Sequence, residues 1–368
     1  MYLPRTTVLA ACAAGMALAA AAQAQTSVQL YGSVDAGLSH VNNERGGSAQ
    51  RVDSGNRSPD RFGLRATEDL GRGLKALFTL ESGFNVDNGT FKKPNTIFNR
   101  RAVVGLQGSF GTVSLGHMPD FMYDYLRFQS NGIMGSAYFF HPGNLDNQAS
   151  TFQIDNALRY ESPVMRGWKL GAMLGFGEDP QDSGKGRSWS AGAQYAAGPL
   201  KANLAYTVSN DRSLNLGATL GLRSVLGQKL SDDPAAPGAV YASFLAARST
   251  SIGATASYRI GRFTPHAMVS RIELENRAGA AAQTNVEFGS DFDSGINTLG
   301  ISAASSRFAG VRWNQFNVID MVHLSKRTTL YAALAWQRAR GGLAVINGLA
   351  PSSTERQLVT RIGVHHLF

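Results

Sequence analysis

Residues 61–85, RFGLRATEDLGRGLKALFTLESGFN, contain two stretches in which apolar and polar side chains alternate. The apolar positions are Phe62, Leu64, Ala66, Leu74, Ala76, Phe78 and Leu80. Successive side chains of a strand point to opposite faces, so each stretch predicts a strand with one apolar and one polar face. The glycine-rich residues 69–73 between them predict a tight turn. The segment therefore predicts an antiparallel hairpin.

The same alternation recurs along the chain, in residues 28–38, 168–176, 189–195, 200–208, 252–260 and 358–368. Seven tight turns are predicted at 69–73, 108–111, 162–167, 197–199, 261–262, 292–295 and 325–327. Eight longer polar loops are predicted at 41–59, 86–95, 119–150, 178–187, 210–248, 275–283, 305–310 and 341–354. These connectors predict an up-and-down ladder of sixteen strands. Residues 284–291 and 296–305 alternate poorly, and the number falls to fourteen if they form loops.

The N-terminal residues have the pattern of a secretory signal. Arg5 precedes an apolar stretch over 8–22, and Ala22-Gln23-Ala24 has the small-x-small form of a cleavage site. This predicts a signal peptide at 1–24 and a barrel domain at 25–368. The apolar stretch is too short and alanine-rich for a spanning helix, which needs roughly 20 strongly apolar residues. Cys12 is the one cysteine of the sequence, and the apolar run continues past it, which disfavours a lipoprotein signal.

No later segment is apolar enough for a spanning helix, so the remaining chain is either a secreted β protein or a membrane β-barrel. A β-sandwich rarely reaches this length as one domain. It also has no need of aromatic residues near strand ends, whereas a membrane barrel places them at both interfaces. Such aromatic residues are Tyr31, Phe84, Tyr160, Trp168, Trp189, Tyr195, Tyr258, Tyr331, Trp336 and Phe368. The pattern predicts an all-β, transmembrane, antiparallel barrel.

Several segments resemble the general Gram-negative porins, especially those of betaproteobacteria. They are 28–37 (VQLYGSVDAG), 61–85, 111–116 (GTVSLG), 156–171, 324–330 and 365–368 (HHLF). The resemblance implies an outer-membrane barrel of sixteen strands, a homotrimer, and a third loop that folds inward to narrow the pore. Two features depart from the family: His117 stands where relatives carry arginine, and the loop 210–248 is unusually long.

Strand parity and the implied inward loop give candidate pore residues. The polar positions of the wall are Arg61, Arg65, Lys75, Glu81, Arg101, Gln153, Asp155, Arg159 and Lys169. Asp120, Asp124 and Asp146 of the third loop are expected to face the basic residues across a constriction. Each arginine is alternatively an ordinary charge on a wet wall. The formal charge of +9 becomes +8 without Arg5, and it favours anions in the pore.

The main hypothesis is a passive diffusion channel for ions and small hydrophilic solutes, with mild anion selectivity. The alternatives are a solute-specific channel shaped by His117 or the loop 210–248, a barrel enzyme such as a lipase, and a surface receptor. No Ser/His arrangement supports the enzyme, and neither a cofactor nor nucleic acid is expected. His365 and His366 point to opposite faces of one strand, so no shared metal is expected. Loop cations are a possible site for lipopolysaccharide phosphates, and Phe368 resembles the signal that the barrel assembly machinery recognises.

Overall fold

A computed structural model describes residues 27–368, so the predicted signal at 1–24, with Cys12, lies outside the described residues. These residues form one closed antiparallel barrel of sixteen strands, which confirms the predicted architecture and number. The strands are β1 Ser27–Glu44, β2 in two segments (Gly47–Ser54 and Arg61–Gly71), β3 Leu74–Gly83, β4 Arg101–Gly108, β5 Gly111–Pro119, β6 Gln153–Glu161, β7 Trp168–Gly175, β8 Ser188–Ala197, β9 Leu200–Leu214, β10 Phe244–Tyr258, β11 Phe263–Asn276, β12 Gly279–Asp293, β13 Asn297–Phe308, β14 Val311–His323, β15 Thr328–Arg340 and β16 Arg356–Leu367.

The barrel closes where β1 meets β16, with Ser33 opposite Leu367 and Val41 opposite Val359. Beyond this ladder, Gly32 N donates to Phe368 O at 3.1 Å, and Phe368 N donates to Gly32 O at 3.2 Å. The ring of Phe368 lies directly over Gly32, where it leaves no room for a Cβ atom. The closed ladder leaves no unpaired strand edge in lipid, where unsatisfied backbone groups are costly.

All seven predicted tight turns are present, but three of the eight predicted long loops are wrong. In 41–59, 275–283 and 305–310 the strands continue almost to the turn: Glu44 pairs with Gly47, and Phe308 pairs with Val311. The ends of these hairpins are polar on their outward faces, so alternation of apolar residues fades although the ladder continues. Pairing also shortens the loop predicted at 210–248 to 215–243.

The two sides of the barrel differ in height. The strands β3 to β8, which we call the low wall, contain 8 to 10 residues, whereas β9 to β15, the tall wall, contain 12 to 15. Exposed aromatic residues such as Trp168, Trp189 and Trp336 lie on the outward face, as predicted. Tyr31 and Tyr331 were also expected there, but they face inward and donate to Glu81 and Asp35. No helix of residues 27–368 is long and apolar enough to span a membrane.

Two loops, 215–243 and 341–355, fold over the inside of the tall wall, and we call them the cap. The first contains helix α1 (Leu216–Leu220) and a small hairpin. Leu216 and Leu220 are fully buried against the inward side chains of Ile272 and Trp313. Trp313 Nε1 also donates to Leu343 O of the second loop at 2.9 Å. The apolar part of the long loop therefore fills one side of the mouth.

Candidate functional site

The third long loop, residues 120–152, folds into the lumen, as expected. Phe121 lies against Gly171 of β7, Tyr125 against Gly192 of β8, and Leu126 against Gly253 of β10. A Cβ atom at any of these glycines collides with the loop side chain. The glycines thus provide the space that lets the loop lie close to the wall.

The tip of the loop is fixed in the gap between the two segments of β2. Tyr138 Oη donates to Asp53 Oδ2 at 2.6 Å, and Ala137 N donates to Asn56 O at 2.8 Å. In the gap, Asp35 Oδ1 accepts from the backbone N–H groups of Asn56 and Arg57 at 2.9 and 3.2 Å. The gap in β2 is therefore ordered, and it binds the tip of the third loop.

A second attachment joins the loop to the tall wall, and we call it the histidine latch. His141 Nδ1 lies 2.6 Å from Asp146 Oδ2, and His141 Nε2 lies 3.3 Å from Glu287 Oε2 of β12. Ser270 Oγ donates to Asp146 Oδ2 at 2.9 Å. Burial lowers the pKa of His141, but the two carboxylates outweigh it and raise that pKa to about 10.

Asp120 and Asp146 were expected to face the basic wall, but both are buried within the loop and its attachments. Asp120 Oδ1 accepts from Tyr123 N at 3.1 Å and from Asn147 Nδ2 at 2.9 Å. Burial raises the pKa of Asp120. Both carboxylates therefore hold the loop in shape, and of the three loop candidates Asp124 alone reaches the basic residues.

Charged side chains on the inner faces of β2, β3, β4, β6 and β7 form a network of two adjacent groups of ion pairs, one around Glu81 and one around Asp124 and Glu161. Each carboxylate of this network lies between two cations. We call it the basic wall cluster, and its members are Arg61, Glu81, Arg100, Arg101, Asp124, Arg159, Glu161 and Lys169.

Glu81 forms the first of these bridges. Its Oε1 lies 2.6 Å from Arg100 Nε, and its Oε2 lies 3.5 Å from Arg61 Nε. Tyr31 Oη donates to the same Oε2 at 3.0 Å. Glu81 is therefore fully occupied by groups of the wall.

Asp124 and Glu161 continue the network. Asp124 forms ion pairs with both Arg101 and Arg159. Burial would raise the pKa of Asp124, but the two guanidinium groups outweigh it and hold that pKa below its ordinary value. Arg159 Nε lies 3.2 Å from Glu161 Oε2, and Lys169 Nζ lies 2.6 Å from Glu161 Oε1. Arg159 thus links the loop to the wall.

The cations of the cluster differ in their access to water. The side chains of Arg61, Arg101 and Lys169 are 23%, 28% and 35% exposed, whereas those of Arg100 and Arg159 are 10% and 6% exposed. The first three are the charges that a solute in the lumen meets. The other two hold the carboxylates in place.

Arg127 of the loop adds a sixth cation beside the cluster. Arg127 Nη1 donates to Tyr123 Oη at 3.2 Å, and Arg100 Nη2 donates to the same oxygen at 3.3 Å. Among residues 27–368, the salt bridges leave Arg127 without a carboxylate partner. Six cations therefore stand against three carboxylates in this part of the lumen.

Four of the nine predicted wall residues lie outside the cluster. Arg65 donates to Gln29 Oε1 at 2.7 Å, and Lys75 lies opposite Asp69 near the tight turn. Gln153 donates to Ser150 O at 2.8 Å, within the base of the loop. Asp155 pairs with His117, whose partner across the ladder, Ala102, lies on the outward face.

Three members of the site were missed from the sequence. Glu161 shares the inward parity of Arg159 two residues earlier, and this signal was present. Arg100 precedes the strand β4, and Arg127 belongs to an irregular loop. Strand parity therefore cannot predict whether either side chain faces the lumen. His365 and His366 hold separate partners, Ser33 and Thr328.

A model of the Gram-negative porin family matches residues 8–342. Over 237 residues the chain is 32% identical to an outer membrane porin protein of Bordetella pertussis, covering 56% of this chain and 60% of that protein. It is 34% identical over 201 residues to outer membrane porin protein 32 of Delftia acidovorans, covering 51% and 56%. The matches thus span less than two thirds of these curated relatives.

Two solved structures have the same fold. The anion-selective porin from Comamonas acidovorans superposes with a TM-score of 0.76 at 23% identity, over 93% of this chain and 100% of that one. The trimer form of OmpT from Vibrio cholerae gives 0.66 at 14% identity, over 93% and 99%. The closed barrel, its inward loop and the family match lead to one assignment: the chain belongs to the Gram-negative porin family of outer-membrane proteins.

Proposed function

We propose that the chain forms a water-filled channel for passive diffusion of ions and small hydrophilic solutes, with a preference for anions. The observation that carries the proposal is the basic wall cluster with Arg127, whose six cations exceed its three carboxylates. A surplus of one sign in a confined lumen raises the local concentration of the opposite ion. The proposed activity needs no catalytic group, and we propose a channel rather than an enzyme.

The geometry also suggests how solutes are filtered. Asp124 is the acidic group that the loop contributes, and its two arginine partners compensate its charge. The field across the path therefore comes from the water-exposed cations Arg61, Arg101 and Lys169. An anion exchanges part of its hydration for these guanidinium and ammonium groups, whereas a cation meets repulsion.

The approach to the cluster is basic as well. A cavity of about 670 Å³ lies at the mouth between the loop 84–100 and the third loop. Its lining contains five cations, among them Lys92, Lys93, Arg100 and Arg127, against the carboxylates Glu44, Asp53 and Asp87. We propose that anions pass these side chains before they reach Arg61 and Arg101, so that attraction begins at the entrance.

Reversal potentials across a planar bilayer in a salt gradient test the proposal. The wild-type protein is expected to favour chloride over potassium. Replacing Arg61, Arg101 and Lys169 with glutamine should shift the reversal potential toward cations, because the carboxylates then lose three of their compensating charges. The matched control replaces Arg248, Arg271 and Arg277 at the outer rim and should leave it unchanged. A wild-type channel that favours potassium contradicts anion selectivity, and no conductance contradicts the channel.

A solute-specific channel was the alternative, based on His117 and the loop 210–248. His117 lies on the outward parity of β5, paired with Asp155, and Leu216 and Leu220 of the loop are buried in the cap. Neither feature favours a solute-binding site in the lumen. Block of single channels by one solute class, saturating with concentration, would support that alternative instead.

We propose a homotrimer, as in the trimer form of OmpT. A groove on the outward face of β1 and β14 to β16 supports the proposal, because it is lined by the small residues Ala36, Gly37 and Ala332. Asp320 lines the same groove, and a carboxylate facing lipid is unfavourable unless a partner covers it. Ala332→Trp should convert the trimer to monomers in sedimentation analysis. We also propose that Phe368 serves the barrel assembly machinery, and Phe368→Ala should lower the folded yield in cells.

A further inference from the structure

Phe128 is an exposed aromatic residue inside the lumen. It belongs to a single 3-10 turn, Arg127–Gln129, of the third loop. Phe128 is 55% exposed, whereas Phe121, Leu126 and Phe139 of the same loop are fully buried. The other large apolar side chains of residues 27–368 that are more than a third exposed lie on outward strand faces, in turns or rim loops, or at the end of β16. Phe128 therefore presents an apolar ring to the water of the lumen.

The residues on either side of this pair fix the direction of the ring. Leu126 lies against Gly253 of β10, and Gln129 Oε1 accepts a hydrogen bond from Asn203 Nδ2 of β9. Both contacts attach the turn to the tall wall. Phe128 lies between these two attachments in sequence and remains exposed, so its ring projects from the tall wall into the lumen.

A cation lies next to the exposed ring. The guanidinium carbon of Arg127 is 5.8 Å from the centroid of the Phe128 ring, and 5.3 Å from the centroids of the buried rings of Tyr123 and Phe140. The salt bridges of residues 27–368 do not include Arg127, and its Nε atom is buried without a hydrogen-bond partner. The three rings attract this charge through cation–π interactions, but they do not neutralise it.

Further cations lie close to this pair. Arg100 donates to the same hydroxyl of Tyr123 as Arg127 does, and Arg100 shares the carboxylate Glu81 with Arg61. Arg127 also lines the cavity at the mouth. The exposed ring of Phe128 therefore lies beside the basic wall cluster, where anions are expected to pass.

The exposed ring is not needed to hold Arg127 in place. Tyr123 and Phe140 already cover the guanidinium group, and the Tyr123 hydroxyl accepts its hydrogen bond. Burial of apolar surface is favourable, so a ring that stays in water forgoes stabilisation that a bound ligand can restore. Because an uncompensated cation lies beside the ring, the ligand that fits both groups is an anion with an apolar, planar part.

We propose that Phe128 and Arg127 form a site for arylcarboxylates, small anions that carry a carboxylate on an aromatic ring. The ring of the ligand packs against Phe128 in an offset or edge-to-face arrangement. Its carboxylate accepts charge-assisted hydrogen bonds from the adjacent guanidinium groups. The inference rests on the proposed channel and names a class of anion that the lumen retains. Charge alone does not distinguish these anions from aliphatic carboxylates, whereas an exposed ring does.

The test compares benzoate with acetate, which carries the same carboxylate without a ring. Dissociation constants are measured on the purified protein in detergent by ligand-observed NMR, which does not depend on conduction. The wild type should bind benzoate about tenfold more tightly than acetate. Phe128→Ala should reduce this ratio to about twofold or less, and Phe128→Tyr, which keeps the ring, should preserve it. The matched control Phe91→Ala removes an exposed phenylalanine of the loop 84–100 and should leave the ratio unchanged.

Benzyl alcohol tests the role of the charge, because it has the ring without the carboxylate. It should bind at least about tenfold more weakly than benzoate. Arg127→Gln should weaken benzoate by about fivefold and leave benzyl alcohol unchanged. Equal binding of benzyl alcohol and benzoate to the wild type overturns the proposal, because the ring would then bind apolar solutes of any charge. A wild-type ratio of benzoate to acetate in Phe128→Ala overturns it as well.

Two further features keep the result interpretable. The Phe128 variants change an exposed side chain, so they test the site even if a variant of the buried Arg127 fails to fold. Conductance of the same samples in planar bilayers separates the site from the channel. A wild-type protein that conducts but binds benzoate and acetate equally refutes the site and leaves the channel intact. One that prefers benzoate as expected but does not conduct refutes the channel and leaves the site intact.

Discussion

The side chains that face inward differ in character between the low wall of β3 to β8 and the tall wall of β9 to β15. On the low wall the inward side chains are ion-paired, and Arg101 and Lys169 keep contact with water. On the tall wall the inward side chains near the mouth are apolar, and Ile272 and Trp313 are covered completely. The difference lies in the cap. A lumen face is polar where water fills it and apolar where a loop does.

This contrast also separates two ways of fixing a loop. The third loop is held to the low wall by charges, through Asp124, and its lining glycines allow close approach. The cap is held to the tall wall by buried apolar area, to which each large side chain contributes about 1.5–3 kcal/mol. We therefore expect salt to weaken the attachment of the third loop and to leave the attachment of the cap unchanged.

The largest effect is expected from removing the centre of the cap. Trp313→Ala deletes a side chain that is 1% exposed and a hydrogen bond to Leu343, so it should cost about 3–5 kcal/mol of unfolding free energy. Loosening of the cap should also raise single-channel conductance. Denaturant unfolding and bilayer recording measure the two effects. Wild-type conductance with lost stability would show that the cap is purely structural.

A smaller loss is expected on the low wall. Arg159→Ala leaves Asp124 with Arg101 and Glu161 with Lys169, so neither carboxylate is wholly unpaired. Partial compensation limits the cost to about 2–3 kcal/mol, and higher salt should reduce the difference from the wild type. Denaturant unfolding of the variant and the wild type at low and high salt measures this difference in stability. A salt-independent loss would mean that the packing of Arg159 on Phe121, and not its charge, stabilises the loop.

The close approach of loop and wall gives a third test. Gly192→Ala places a Cβ atom against the ring of Tyr125 and should cost about 1–2 kcal/mol through overpacking. Gly198→Ala controls for the loss of a glycine, because nothing lies within 4 Å of its Cβ position, although its φ of +54° adds backbone strain. Thermal unfolding compares the two. Equal destabilisation would argue against a specific contact with the loop.

The histidine latch should give the smallest change over ordinary conditions. Its folded pKa of about 10 lies above the ordinary 6.5, so its stabilisation is complete below that lower value and is lost as the pH rises toward the higher one. Between pH 7 and 8 the loss is expected to be about 1 kcal/mol. His141→Gln should flatten this dependence in thermal unfolding between pH 7 and 10. The groups that face His141 are Asp146 and Glu287, and the variant keeps both carboxylates.

Most of the barrel wall was predictable, because lipid outside and water inside impose a strict alternation of apolar and polar side chains on every membrane strand. The errors fall where that constraint ends. Above the membrane both faces of the hairpin at Arg45 are polar, so the sequence resembles a loop although the ladder continues. Arg61, Glu81, Arg101 and Arg159 followed from parity. The positions of Asp120 and Asp146 could not be predicted in this way. They lie in an irregular loop, where three-dimensional contacts and not a repeating pattern in the sequence decide which carboxylates are buried.

The pairing of β1 with β16 has a kinetic consequence. Ser33 Oγ and His365 Nε2 lie 2.9 Å apart, although the residues are 332 positions apart in the chain. Contacts between such distant residues form slowly, because chain entropy is lost before the contact contributes any energy. All other strand pairs join strands that are neighbours in sequence, so these pairs form from local contacts. Joining the first strand to the last is therefore expected to be the final, rate-limiting step, and an unjoined barrel is the intermediate that should accumulate.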